Sequence, residues 1–162
     1  MINVTNNFLD NNQFFDISKL LLSKKFPYFL TTDFKVMIHN LVENIDNKKE
    51  FSLFLQPVLF NLIIKLKAKE IISSTVYLIT KDTENISLDI GIKNPYEISL
   101  NNTSLTSMLY INSNNGHTKI IGKDKIEPVQ NRLLTFSSNI SYEETTPTDQ
   151  PFKIVLKLIY CL

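Results

Sequence analysis

His39, His117 and Cys161 are the whole supply of imidazole and thiol groups in this 162-residue chain. A nitrogen-rich metal centre would need both histidines, and a Ser-His-Asp or Cys-His relay would need one of them. Neither stands in a motif of that kind. His39 lies in an apolar run and reads as a satisfied, partly buried imidazole. His117 directly follows Asn114-Asn-Gly116 and reads as a surface histidine beside a turn. Cys161 ends an apolar run with no basic neighbour, so it reads as a small core or edge residue and not as an activated thiol. One cysteine permits no intrachain disulfide, which fits a reducing compartment. Three glycines leave no loop to cradle a phosphate.

Charge excludes some partners. The net charge is +1, from 17 basic and 16 acidic residues, so neither nucleic acid nor an anionic membrane is expected. Lys24-Lys25 and Lys48-Lys49 read as solvated charges at helix ends or in loops. The first residues lack the basic start and apolar core of a secretory signal, and the apolar runs are broken by Lys or Gln, so no transmembrane helix is expected.

The elements that must position these groups follow from periodicity. Asp10 offers an N-cap for a helix over Phe14 to Lys25, with Phe15, Ile17, Leu20, Leu21 and Leu22 on its buried side. Pro27 ends that run, since the residue before a proline avoids helix. Phe34 to Asn44 reads as a strand and Asn47 to Glu50 as a polar turn. A second helix is predicted from Phe51 to Lys67, with Leu55, Leu59, Leu62, Ile63 and Leu66 on one stripe. Pro57 falls in its early turns, where a missing N–H is tolerated.

Beyond Lys67 the β-branched content rises. Strands are predicted at Ile71 to Thr80, Ile86 to Ile92, Leu105 to Asn112, Thr118 to Ile121, Lys125 to Pro128, Leu133 to Phe136 and Phe152 to Tyr160. Ser113-Asn-Asn-Gly116 reads as a tight hairpin turn, because Asn and Gly tolerate positive φ. In the last strand Phe152, Ile154, Leu156, Leu158 and Tyr160 share one face, which is assigned to the core, and Lys153, Val155 and Lys157 share the other. Two helices followed by many short strands predict one α+β domain over residues 1–162. Its form is a jelly-roll barrel, a double-stranded β-helix, with the N-terminal helices packed on one sheet.

Leu109-Tyr-Ile-Asn-Ser-Asn-Asn-Gly-His-Thr118, Asn131-Arg-Leu-Leu-Thr-Phe136 and Thr145-Thr-Pro-Thr-Asp149 carry a family resemblance in their order and spacing. With Phe8-Leu9, Phe26-Pro-Tyr28 and Leu66-Lys-Ala-Lys69 they make nearly the whole chain resemble the prolyl-4-hydroxylase-like Fe(II)/2-oxoglutarate oxygenases, especially those of marine bacteriophages. In such enzymes two histidines and one carboxylate hold iron, and a basic residue on the last strand holds 2-oxoglutarate. The resemblance places Asp89 at the carboxylate, Ser87 at the first histidine, Tyr142 at the distal histidine and Lys153 at the cosubstrate position. Both histidine positions therefore lack imidazole. Ser87, Asp89 and Tyr142 read as vestigial metal positions, and Lys153 as a vestigial cosubstrate position.

The resulting expectation is a non-catalytic barrel with no cofactor. It would be a virion structural or assembly component, such as a head, neck or tail accessory. It would lie in the virion or host cytoplasm and contact other virion or assembly proteins or further copies of itself. The polar stretch from Asn94 to Ser107 and the segment from Glu143 to Gln150 are the expected contact surfaces. The alternative is an Fe(II)/2-oxoglutarate-dependent hydroxylase with altered metal ligands.

Overall fold

The computed structural model describes residues 2–32, 35–45, 48–88, 104–122 and 125–162. Its elements are β1 (Ile2–Thr5), α1 (Asn11–Leu21), β2 (Phe29–Leu30), β3 (Val36–Ile45), β4 (Lys48–Phe51), α2 (Leu55–Leu66) and β5 (Glu70–Thr80). There follow β6 (Ser87–Leu88), β7 (Leu105–Tyr110), β8 (Thr118–Ile120), β9 (Lys125–Ile126), β10 (Leu133–Ser137), β11 (Tyr142–Thr145) and β12 (Phe152–Cys161).

The helices begin and end for local reasons. Asp10 caps α1 by accepting the Gln13 N–H at 2.9 Å. Phe14, Ile17 and Leu21 form the buried stripe, whereas Phe15 and Leu22 face solvent. Ile17 and Leu21 are buried as predicted and Leu20 packs against them, but Phe14 takes the place of Phe15, and α1 stops at Leu21. Helix α2 buries Val58, Leu59 and Leu62. It ends where Lys67 turns left-handed at φ 56° and the Ala68 N–H reaches back to the Ile63 carbonyl. Lys48 to Glu50, predicted within a polar turn, and Phe51, predicted to open this helix, instead form β4, antiparallel to the end of β3.

The strands form two sheets. The larger runs β1-β10-β7-β12-β5-β3-β2, with β4 also paired to β3; the smaller runs β6-β11-β8-β9. Strand β12 lies in the middle of the larger sheet, antiparallel to β5 on one side and to β7 on the other. Both of its faces are covered. Ile154, Leu156, Leu158 and Tyr160 pack with Phe14, Ile17, Leu21, Val58, Leu59 and Leu62 of the two helices. Val155, on the opposite face, packs with Met108, Tyr110, Ile120, Leu134, Phe136 and Tyr142 between the two sheets. The Lys153, Val155 and Lys157 face, which the sequence set opposite the core, is therefore the barrel interior.

The predicted hairpin at Ser113 to Gly116 is not one. Strand β7 pairs with β10 and β12, while β8 pairs with β11 and β9, so this turn carries the chain from one sheet to the other. Among the described residues the positive φ values fall at Asn7, Lys67, Asn131 and Gly122 and not in this turn. Gly116 answers a different need. A Cβ there would lie 2.8 Å from the Thr145 carbonyl oxygen and 2.9 Å from Asn114 Oδ1. Close approach of two backbones, and not backbone conformation, demands the missing side chain.

Candidate functional site

Four inward side chains meet inside the barrel. Tyr110 ends β7, Thr118 opens β8, Glu144 lies on β11 and Lys153 on β12. Their inward direction follows from strand alternation: Tyr142 and Glu144 point in while Glu143 between them points out. Lys153 is 0% exposed and Glu144 3%. The Lys153 ammonium is paired with Glu144 Oε2. Thr118 Oγ1 donates to Glu144 Oε1 at 2.7 Å and lies 2.5 Å from the Tyr110 hydroxyl. Since the single Thr118 proton goes to the carboxylate, Tyr110 donates to Thr118. The ammonium also lies 6.0 Å from the centre of the Tyr110 ring.

Electrostatics agree with this direction of donation. Burial pushes the Tyr110 hydroxyl well above its ordinary pKa, and the Glu144 charge pushes the same way. Tyr110 stays protonated and keeps donating. The result is a closed relay: two oxygens of one carboxylate, one held by an ammonium and the other by a hydroxyl chain.

Of the four positions marked by the sequence, the three that are described do not all face the interior. Lys153 is buried in this relay. Tyr142 is buried two residues before Glu144, its ring edge-on to Phe136 at 5.5 Å between centres. Ser87 is on the outer surface, where its hydroxyl donates to Glu143 Oε2 at 2.8 Å. Glu143 also lies 3.6 Å from the Lys119 ammonium. The inward residue of β6 is Leu88, paired in register with Glu144. Asp89 lies outside the described residues.

Sequence reading missed Glu144, Thr118 and Tyr110. The signal was a carboxylate two places from Tyr142, hence on the same face, together with a lysine sharing the face of Val155. Two opposite charges at interior positions should meet.

The histidines lie elsewhere. His39 Nδ1 is 2.7 Å from the Pro27 carbonyl and Nε2 is 2.7 Å from Ser52 Oγ. A carbonyl only accepts, so Nδ1 carries the proton and Ser52 donates to Nε2. Phe26, Phe29 and Phe54 surround the ring. This is the satisfied imidazole expected from the sequence. His117 is half-buried at the start of β8, its backbone N–H donating to Thr145 Oγ1 at 2.8 Å. Burial lowers its pKa, and the Lys125, Lys153 and Lys119 charges lower it further. Arg132 donates to Asn6 Oδ1 and the Glu127 carbonyl.

The polar motif around Gly116 has a structural use. Asn112 donates to the Phe152 carbonyl and accepts the Ile154 N–H, so it holds the start of β12. Asn115 holds Thr148 through both ends of its amide, and its N–H donates to Asp149. The expected contact surfaces are correspondingly limited. Glu144, Thr145 and Thr146 are buried, as are Ser104, Thr106 and Ser107, while residues 94–103 lie outside the described residues.

Iron is implied by the resemblance, and the described donors do not fit it. Among the described residues no group of three or more His, Cys, Asp or Glu side chains could share a metal ion. Glu144, the interior carboxylate, is committed to Lys153 and Thr118.

No family model matches this chain, and no curated protein matches it. Solved structures do. A 2-oxoglutarate–Fe(II) oxygenase family oxidoreductase from Burkholderia pseudomallei aligns with 99% of this chain and 84% of its own, at 11% identity and a TM-score of 0.68. A prolyl hydroxylase from Trichoplax adhaerens, solved with a peptide fragment of the hypoxia inducible factor oxygen degradation domain, aligns with 99% of this chain and 83% of its own, at 16% identity and 0.66. A Pseudomonas putida prolyl-4-hydroxylase aligns with 99% of this chain and 92% of its own, at 11% identity and 0.56. The antiparallel jelly roll with two helices described above is thus the fold of the 2-oxoglutarate–Fe(II) oxygenases.

Proposed function

We propose that this chain is a non-catalytic protein built on the oxygenase jelly roll and acting through protein–protein contacts, as a structural or assembly component of a virion. The observation that carries the non-catalytic part is the Lys153–Glu144 pair. The one cation on the interior face that the resemblance assigns to an incoming dicarboxylate already holds a carboxylate from its own chain. A ligand could take that place only by displacing Glu144, which would leave its buried carboxylate without the ammonium that balances it. The absence of histidine from both expected iron positions supports the same reading. The virion assignment rests on the likeness of the sequence motifs to those of marine-phage oxygenases.

The second reading is an Fe(II)/2-oxoglutarate-dependent hydroxylase with altered ligands. The fold itself favours it, and Asp89 would be its metal carboxylate.

Calorimetric titration separates the two. Mn(II), as an oxygen-stable stand-in for Fe(II), and 2-oxoglutarate should show no saturable uptake, alone or together. Uptake that saturates and disappears in Asp89→Ala would establish the hydroxylase reading in place of the scaffold.

A further inference from the structure

The outer edge of the larger sheet beyond β3 is shared by β2 and β4. Both pair with β3 on the side away from β5: Ile38 faces Tyr77 and Phe29, and Val42 faces Ser74 and Phe51. Among the described residues no strand covers the far edge of β4. All four of its residues are exposed. Large apolar side chains flank this edge: Phe29 is 61% exposed, Phe51 62% and Leu53 96%.

The edge is also held in place. The His39 ring ties the Pro27 carbonyl to Ser52, so the segment entering β2 and the residue leaving β4 are fixed to β3. An edge strand tied down in this way has already lost conformational freedom that further pairing would otherwise remove.

The direction of its free hydrogen-bonding groups follows from one bond. The Ser52 N–H donates to the Leu41 carbonyl, so Glu50 and Ser52 turn their backbone groups toward β3 while Lys49 and Phe51 turn theirs outward. We propose that two copies of this chain join through β4, antiparallel about a twofold axis at Lys49, so that the two larger sheets become one. Lys49 then exchanges both backbone hydrogen bonds with Lys49 of the second copy. Lys48 stands directly across from Glu50 of the second copy, and Glu50 across from its Lys48.

Charge selects the second copy over an unrelated strand. Lysines on a sheet edge ordinarily repel strand addition. In this register each Lys48 meets a carboxylate in a non-hydrogen-bonded position, where side chains approach closest. The two Lys49 side chains, which share the opposite face, are each already paired with Glu70 at 2.8 Å. A neutral or basic strand would leave Lys48 without that partner. The contact is isologous and closes on itself, so it yields a dimer and not a fibre.

This proposal is independent of the pocket and of the metal and 2-oxoglutarate titration. Sedimentation velocity from micromolar to near-millimolar concentration should show a monomer–dimer equilibrium. Lys48→Glu and Glu50→Lys should each weaken it by about tenfold or more, and the double exchange should restore it. Lys49→Pro removes an outward N–H while leaving the β3 ladder intact, so it should abolish the dimer at nearly unchanged melting temperature. A monomer at every concentration would overturn the proposal, as would a dimer indifferent to the two charge reversals.

Discussion

Lys153 and Glu144 each forfeit the hydration of a full charge, and their attraction only repays that loss while both are present. Lys153→Met would leave Glu144 buried beside an apolar side chain. Urea unfolding should show a loss of about 3–5 kcal/mol. Adding Glu144→Leu removes the stranded charge and should recover most of that loss. If the two substitutions were simply additive, the pair would not be coupled. His117 yields a pH signature. Its folded pKa is depressed below 6.5, mainly by burial and then by three lysines. As pH falls through about 6.5, the unfolded chain takes up a proton that the folded chain resists, so stability declines until the folded pKa is passed. Above that window the contribution is constant. His117→Gln should flatten the decline in urea midpoint between about pH 7.5 and 5. At this scale the sequence foresaw the satisfied imidazole of His39, but it set Lys153 on the face opposite the core and missed its partners. Which face of a strand is interior depends on what covers it, and β12 is covered on both faces.

Elements are joined here by single polar residues. Asn131, at φ 58°, donates from Nδ2 to the Leu9 carbonyl at 2.8 Å and accepts the Leu9 N–H at 3.0 Å. Its own carbonyl takes the Phe8 N–H. One amide thus clamps the segment between β1 and α1 to the turn before β10. Asn131→Gly keeps the left-handed conformation and loses the clamp, at about 1–3 kcal/mol. Asn131→Ala adds the strain of a Cβ at positive φ, roughly another 1–2 kcal/mol, so thermal unfolding should rank Ala below Gly. The sequence marked Asn131-Arg132 as notable without showing this reason, since Leu9 lies 122 residues away. The same distance effect explains the misplaced hairpin. Ser113 to Gly116 has turn chemistry, yet composition cannot say whether the strands on either side pair with each other. Residues 48–51 failed for the opposite reason. Lys48, Lys49 and Glu50 lack strand propensity, and this short segment forms β4 only because β3 offers an edge.

As a whole the molecule is layered: helices, the larger sheet, the barrel interior and the smaller sheet. The α+β jelly roll was legible because two helical periods precede a long run of β-branched segments. No helix among the described residues is long and apolar enough to cross a membrane. The pairing order was not legible, because strands adjacent in space are often far apart in the chain.

That order has a consequence for biosynthesis. The strand joining β5 to β7 is β12, which leaves the ribosome after every other element. At about 5–20 residues per second, the helices and both halves of the larger sheet wait several seconds for their keystone. Until then each half presents a raw edge and an uncovered apolar face to solvent. A nascent chain of this design depends on chaperones that shield such surfaces, and early termination anywhere before Phe152 would leave a sticky fragment in place of a smaller protein.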